Sequence, residues 1–474
     1  MSASRPPESV RREYMKPRDH TTGHNLTDLG NAERMAELHG EDCRHCHPWG
    51  QTLAWDGKRF APDTTGIVER MAKNTVRSIY VEAANAEDAD DRKALSKHAN
   101  RSEARTKIQA MQALAWSEPG IPVEPDDLDR DVWLLNCENG TLDLRSGELY
   151  PHRRDDLITK LTPVVYDPDA KAPTWEAFLE RVLPSEALRR FLQRVIGYAL
   201  TGDVSEQIMI FLYGRGANGK STLVNTILEM MGDYGKQAAP DLLVVKQGTH
   251  PTELADLFGA RFVPSVEVED GRRMAESLVK QLTGQDKIKA RFMRQDFWEF
   301  HPTHKVCLVA NHKPTVRGTD HAIWRRIKMV PFDEIIPKKE QDPQLPEKLR
   351  EELPGVLAWA VEGCRQWQSE GLGEPDEVRS ATEGYRVEQD TLGQFIEDRC
   401  VEHQRASTGA TPLYNSYKEW CEESGEDQMT QTRFGLQLKE RGFEKARDPK
   451  TRRQTWHGIG LLDARSPDED DDGA

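Results

Sequence analysis

The run GRGANGKS, from Gly214 to Ser221, constrains this chain more than any other feature, because of where it stands. An apolar stretch, Ile208 to Tyr213 (IMIFLY), precedes it and reads as a buried strand. The stretch TLVNTILEMMG follows it and reads as a helix. In that strand–loop–helix setting the run fulfils G-x-x-x-x-G-K-S/T, a loop that grips a polyphosphate through inward-pointing backbone N–H groups. Gly214, Gly216 and Gly219 permit the tight turn and close approach, with Arg215, Ala217 and Asn218 between them. The new helix adds its positive dipole end to the same anion. Lys220 is placed to reach the β/γ-phosphates, and Ser221, beside Thr222, to put a hydroxyl on Mg²⁺. The expected ligands are therefore ATP and Mg²⁺. Such a loop alone names only a nucleotide-binding class.

The motifs that follow narrow the class. About 45 residues on, ARFVPSVEVED reads as a second buried strand ending in carboxylates. Glu267 and Glu269 are two apart, so on a strand they share a face. That suits one carboxylate, Glu267, to the Mg²⁺ shell and Glu269 to polarising water, with Asp270 a weaker candidate. Read alone, the same residues fit a solvated acidic edge. Next, Leu278 to Leu282 closes a helix, and KIKARFMR from Lys287 to Arg294 turns at Gln295–Asp296 and returns through FWEF. Lys289, Arg291 and Arg294 on this hairpin suit phosphates of a nucleic acid, and most of the interleaved Phe292, Phe297 and Trp298 suit anchoring in a core. A strand from Lys305 to Ala310 ends in Asn311, whose amide can hold the lytic water, although Asn before a turn is usually turn chemistry. In WRRIKMVPF, Arg325 and Arg326 precede another strand. One of them is a candidate finger delivered to a neighbour's nucleotide, the plain alternative being a surface ion pair.

Taken in order, GRGANGKS, VEVEDGRR, KQLTGQDKIKAR, VANHKP and GTDHAIWRRIKMVPF resemble the superfamily-three helicases of phage and plasmid primase-helicases, including the poxvirus-type members. The resemblance runs from about Asn25 to Phe332. It implies an α/β fold: a P-loop AAA+-like ATPase core, an N-terminal mainly helical domain, and a C-terminal winged-helix-like domain. It further implies an ATP-dependent DNA helicase that assembles as a ring, a hexamer in such families, and moves 3′-to-5′ on single-stranded DNA. Lys220 and Ser221 take the nucleotide and metal roles, Glu267 and Glu269 hydrolysis, Asn311 the sensor, and Arg325 or Arg326 the finger. Relatives often carry a primase domain; only about 24 residues precede the matching region, so no primer synthesis is expected from this chain, and a separate primase or initiator is a candidate partner.

The organisation expected is a disordered segment 1–24, a helicase-associated domain 25–200, the ATPase domain 201–370, a charged helix or linker near 372–390, a winged-helix-like unit 391–462 and an acidic disordered tail 463–474. In the C-terminal unit a helix from Thr432 to Arg441 is expected to bury Phe434, Leu436 and Leu438 in part, leaving Arg433, Lys439 and Arg441 outside. Arg452 and Arg453 belong to a basic wing. A packing module with a solvated basic loop is the alternative. The formal net charge is −15, yet residues 286–328 hold ten Lys/Arg against four Asp/Glu, and 433–453 eight against three. Two basic islands on an acidic chain fit dedicated anion-binding surfaces, or ordinary solvated faces. No run approaches a membrane span and the polar N-terminus lacks a signal-peptide core, so a cytoplasmic protein is expected, in the host cell if phage-encoded. Seven scattered cysteines fit a reducing compartment, and Cys43 with Cys46 lack a second ligand pair for zinc. Two other readings share parts of this pattern. One is a nucleotide-switched DNA-binding, initiator or loader protein that does not unwind; the other is a packaging motor or RNA translocase.

Overall fold

The computed structural model describes residues 23–239, 241–245, 251–266, 271–293, 296–316, 321–447 and 452–462. Glu267, Glu269, Asp270 and Arg294 lie outside the described residues, as do residues 1–22 and the acidic tail 463–474.

The chain begins with α1 (Asp28–His39), capped by Thr27, whose hydroxyl accepts from Gly30 N at 3.1 Å. Ala32 and Met35 are buried, whereas Leu29 and Leu38 stay half exposed. Three antiparallel strands follow: β1 (Cys43–Cys46), β2 (Gln51–Trp55) and β3 (Phe60–Pro62). Asp56–Gly57 turns β2 into β3, with Asp56 N donating to Arg59 O at 3.0 Å. Helices α2 (Ile67–Asn85), α3 (Ala89–Ser102) and α4 (Arg105–Ala115) complete this part. Cys43 and Cys46 are three apart on one strand, so they face opposite ways. Cys43 packs with Ala32 and Met35, Cys46 with Trp49 and Phe60 in a different core. Burial pushes the two thiols up to about 11 and about 12. Among the described residues, no three His, Cys, Asp or Glu side chains are grouped to hold a metal.

A second antiparallel sheet, β4 (Leu134–Cys137), β5 (Gly140–Asp143) and β6 (Glu148–Tyr150), turns at Glu138–Asn139 and through 144–147. Two helices follow, α5 (Pro173–Val182) and α6 (Glu186–Leu200). Pro184 offers no N–H to continue the first, and Ser185 caps the second through Leu188 N at 3.4 Å.

The centre is an α/β layer running β7 (Met209–Tyr213), α7 (Lys220–Met231), α8 (Pro251–Ala255), β8 (Phe262–Val266), α9 (Glu276–Leu282), β9 (Ile288–Ala290), β10 (Trp298–Phe300), β11 (Lys305–Ala310), α10 (His321–Trp324) and β12 (Ile327–Pro331). Four of these strands form one parallel sheet in the order β12-β7-β11-β8. Covered on both faces, β7 and β11 are apolar along nearly their whole length. Alternation sorts β7 between two cores. Ile210 and Leu212 join Trp175, Phe191 and Ile227 on one side, while Met209 and Phe211 join Trp49, Phe60 and Trp298 on the other. The N-terminal strands therefore share a core with the central sheet. Helices α11 (Leu345–Glu351) and α12 (Leu353–Glu370) follow, and 376–388 is the helix α13 (Asp376–Glu388) rather than a linker.

The C-terminal unit has its own core around Phe395, Tyr417, Trp420, Phe434 and Trp456. It comprises α14 (Thr391–Arg399), β13 (Cys400–Gly409), α15 (Ala410–Ser424), α16 (Gln431–Glu440), β14 (Glu444–Arg447) and β15 (Gln454–Leu461), with antiparallel sheet order β13-β15-β14. Expected to be partly buried, Phe434 and Leu438 are fully buried and Leu436 is exposed, because residues four apart share the inner face of α16. Among the described residues, no helix is long and apolar enough to cross a membrane.

Candidate phosphate loop and nucleic-acid contacts

β7 ends at Tyr213, and the chain turns through 214–219 before α7 starts at Lys220. Two glycines are dictated by contact. A Cβ on Gly214 would stand 2.2 Å from Phe332 O, and one on Gly219 would stand 2.6 Å from Val182 Cγ1 at a φ of 86°. Gly216 meets nothing, so its place in the loop is open toward solvent, as are Arg215 and Ala217. The segment after β12 straps the loop from outside. Asn218 Nδ2 donates to Phe332 O at 3.0 Å, and Ile336 N donates to Ala217 O at 2.8 Å. Sequence reasoning missed this strap, since no local pattern announces a contact across more than a hundred residues.

Lys220 is 5% exposed. Its ammonium donates to Gly214 O at 2.6 Å, Asn218 Oδ1 at 3.0 Å and Asn311 Oδ1 at 3.1 Å, all neutral acceptors. Burial lowers its pKa to about 8. Asn311 arrives from the end of β11, which pairs in parallel beside β7, so the tips of neighbouring strands meet at this cation. Ser221 is exposed and Thr222 half-buried in the first turn of α7. The first N–H groups of a helix have no intrahelical acceptor. A desolvated ammonium, a glycine-lined turn and a helix N-terminus together fit a bound polyphosphate.

The two candidate finger arginines part company. Arg326 is 8% exposed; its Nε donates to Thr283 Oγ1 at 3.0 Å and a terminal nitrogen to Ala322 O at 2.6 Å. That corrects the expectation that either could extend to a neighbour, because Arg326 is built into its own core. Arg325 is exposed and donates to Gln207 Oε1 at 2.8 Å. Because Ile327 registers with Met209 on parallel strands, Arg325 sits at the opposite end of the sheet from Lys220. Five residues of strand separate them by ~16 Å or more.

The expected basic hairpin is paired over three rungs, β9 with β10. Trp298 and Phe300 are buried, and Phe292 packs against Trp298 and Trp49, so these rings anchor the hairpin. Phe297 is 49% exposed, with Lys289 and Arg291 on its ring at 4.9 and 4.8 Å. Much of the basic island over 286–328 is not free surface. Lys305 is buried against Thr201 O and the Tyr198 ring, while Lys287, Lys313 and Lys328 are paired with Asp126, Glu388 and Glu374. In the C-terminal unit, Lys439 is exposed and Arg433 half-buried on α16, and Arg452 and Arg453 are exposed ahead of β15. Arg441 is exposed, as expected, and pairs with Asp390.

Three family profiles match the chain in order. "D5 N terminal like" covers residues 32–184, "Family of unknown function (DUF5906)" 212–326, and "Poxvirus D5 protein-like" 387–457. A protein of Acanthamoeba polyphaga mimivirus named as a helicase is 29% identical over 320 residues, covering 62% of this chain and 33% of its own. One of Frog virus 3, also named as a helicase, is 25% identical over 276 residues, covering 53% and 28%. One of African swine fever virus named as a primase is 24% identical over 325 residues, covering 62% and 34%. The chain thus spans about a third of the length of these relatives. The apo NrS-1 C-terminal region aligns over 91% of this chain and 99% of that one, at 9% identity and a TM-score of 0.47. With both D5 profiles on either side of the phosphate loop, the chain belongs to the D5 primase-helicase family, of which it carries the helicase region.

Proposed function

We propose that this chain is an ATP-driven replicative DNA helicase of a phage, prophage or plasmid, moving 3′-to-5′ on single-stranded DNA as a homo-oligomeric ring, a hexamer by family pattern. Its segments divide into a helicase-associated domain over 25–200, an AAA+-like ATPase over 201–370 and a winged-helix-like DNA-binding unit over 391–462. The observation that carries the reading is the Lys220 ammonium, held at 3.1 Å from the Asn311 amide where two parallel strands end. Among the described residues its acceptors are all neutral, and an incoming phosphate can displace them.

ATP supplies the anhydride whose cleavage drives movement, and Mg²⁺ bound to its phosphates offsets their charge. Lys220 and the N–H groups of 214–222 bind the phosphates, and Ser221 and Glu267 hold the metal. Glu269 orients water, and Asn311 reads the terminal phosphate once Lys220 has turned to it. Arg325 serves the nucleotide of a neighbouring subunit, being exposed and too far from its own. Lys289, Arg291 and Arg294 track the DNA backbone from the hairpin, and Arg433, Lys439, Arg452 and Arg453 add phosphate contacts from the C-terminal unit. The test is ATP hydrolysis with and without single-stranded DNA, and unwinding of forked duplexes with DNA or RNA tracking strands. DNA-stimulated hydrolysis lost in Lys220→Ala, with unwinding of a DNA-tracked fork, is expected. Hydrolysis that survives Lys220→Ala sinks the site, and nucleotide-gated DNA binding without unwinding returns the loader or initiator reading.

A further inference from the structure

The loop behind Asn311 is held by the last turn of α13, and α13 leads straight into the C-terminal unit. Tyr385 is fully buried, its hydroxyl donating to Pro314 O and its ring edge-on to Trp324 at 5.2 Å and Phe211 at 5.8 Å. Lys313 Nζ reaches the Glu388 carboxylate at 2.6 and 2.8 Å while lying 5.0 Å from the Tyr213 ring. Val316 N donates to Gln389 Oε1 at 3.0 Å. The rest of α13 is tied to β12, where Met329 N donates to Thr382 Oγ1 at 3.1 Å.

Past Gln389 there is no slack. Asp390 caps α14 through Gly393 N at 2.9 Å, and Gln394 Nε2 reaches back to Val387 O at 3.1 Å. Asp390 also pairs with Arg441, which ends α16, the helix carrying Arg433 and Lys439. One contact path therefore runs from Lys220 through Asn311, the 311–316 loop and the end of α13 to α16.

We propose that Tyr385, Glu388 and Gln389 form a positioning clamp that couples the sensor loop to the C-terminal unit, so that a nucleotide at Lys220 resets α16. The proposal rests on the nucleotide reading above. Its two-state element is Asn311. Without nucleotide its amide oxygen accepts from Lys220; a triphosphate takes that ammonium in a stronger charge-assisted bond and frees the amide. A rigid joint passes such a change on, where a flexible linker would absorb it. Contiguity is not itself coupling, so the test must measure coupling.

The experiment is amide hydrogen exchange on the full chain, with and without Mg²⁺ and ATPγS. Residues 214–222 report binding, 311–316 the sensor and 431–447 the C-terminal unit. In the unmodified chain all three should change, the last by about fivefold or more. In Tyr385→Phe/Glu388→Gln the first two changes persist and the third is lost. If that variant melts early, Arg441→Gln cuts the path at the surface and should shrink the third change alone. A C-terminal unit that ignores nucleotide in the unmodified chain overturns the clamp, as does one that responds undiminished in the variants. No change at 214–222 would instead overturn the nucleotide reading itself.

Discussion

Raising the pH through 8 weakens nucleotide binding, and the environment of Lys220 sets how much. In the free protein its ammonium is desolvated among three neutral acceptors, and its pKa is lowered to about 8. A bound polyphosphate places negative charge beside it and raises that pKa again. Binding therefore takes up a proton, and affinity is lost as pH rises through the free-state value. If only the charged form binds, the apparent Kd is about twofold higher at pH 8 than at low pH and roughly tenfold higher at pH 9, with a further tenfold per unit until the bound lysine titrates. A phosphate with a second pKa of about 6 is almost fully ionised by pH 8 and adds little above it. Titration with a fluorescent ATP analogue from pH 7 to 9 measures the slope. Calorimetry in two buffers of different ionisation enthalpy should show uptake of about half a proton at pH 8. Lys220→Arg provides the control, since a guanidinium stays charged, so any binding it retains should be flat with pH. A flat profile in the unmodified chain, or no proton uptake at pH 8, refutes the reasoning.

Gly214→Ala drives a methyl group toward Phe332 O, so thermal melts should show about 1–3 kcal/mol of destabilisation together with lost nucleotide binding. Asn311→Ala should keep ATP affinity within a few-fold while kcat for hydrolysis falls about 10²-fold, as for a lost hydrogen-bond donor at a transition state. Arg325→Ala should leave the melting temperature nearly unchanged and cut kcat about 10³-fold, and mixing with Lys220→Ala subunits should restore part of the activity. Arg326→Ala, by contrast, strips Thr283 and Ala322 of a buried donor and should cost about 1–3 kcal/mol in denaturant unfolding. Lys289→Ala should weaken DNA binding alike for all sequences and lower the salt slope of log K by about one.

Much of the molecule is legible along the chain because its signals are local. The glycine spacing of 214–219, the apolar run before it and the helix after it depend only on neighbours in sequence. The same holds for the end of β11 at Asn311 and for the turn at Asp56–Gly57. What sequence could not rank is charge. Arg325 and Arg326 are adjacent and chemically identical, yet Thr283 and Ala322, from two other elements, bind one and leave the other at the surface. Lys305 and Arg291 fall in one basic island, but one lies buried under Thr201 and the other beside an exposed ring. The pattern of residues thus determined the phosphate loop, the order of the strands along the chain and the type of chemistry at their tips. Only the tertiary structure decided which cations lie at the surface, how the strap of Phe332 and Ile336 closes the loop, and that the end of α13 packs against the 311–316 loop. Those outcomes depend on contacts between residues far apart in sequence, and no local periodicity encodes which distant carbonyl or carboxylate a side chain will meet.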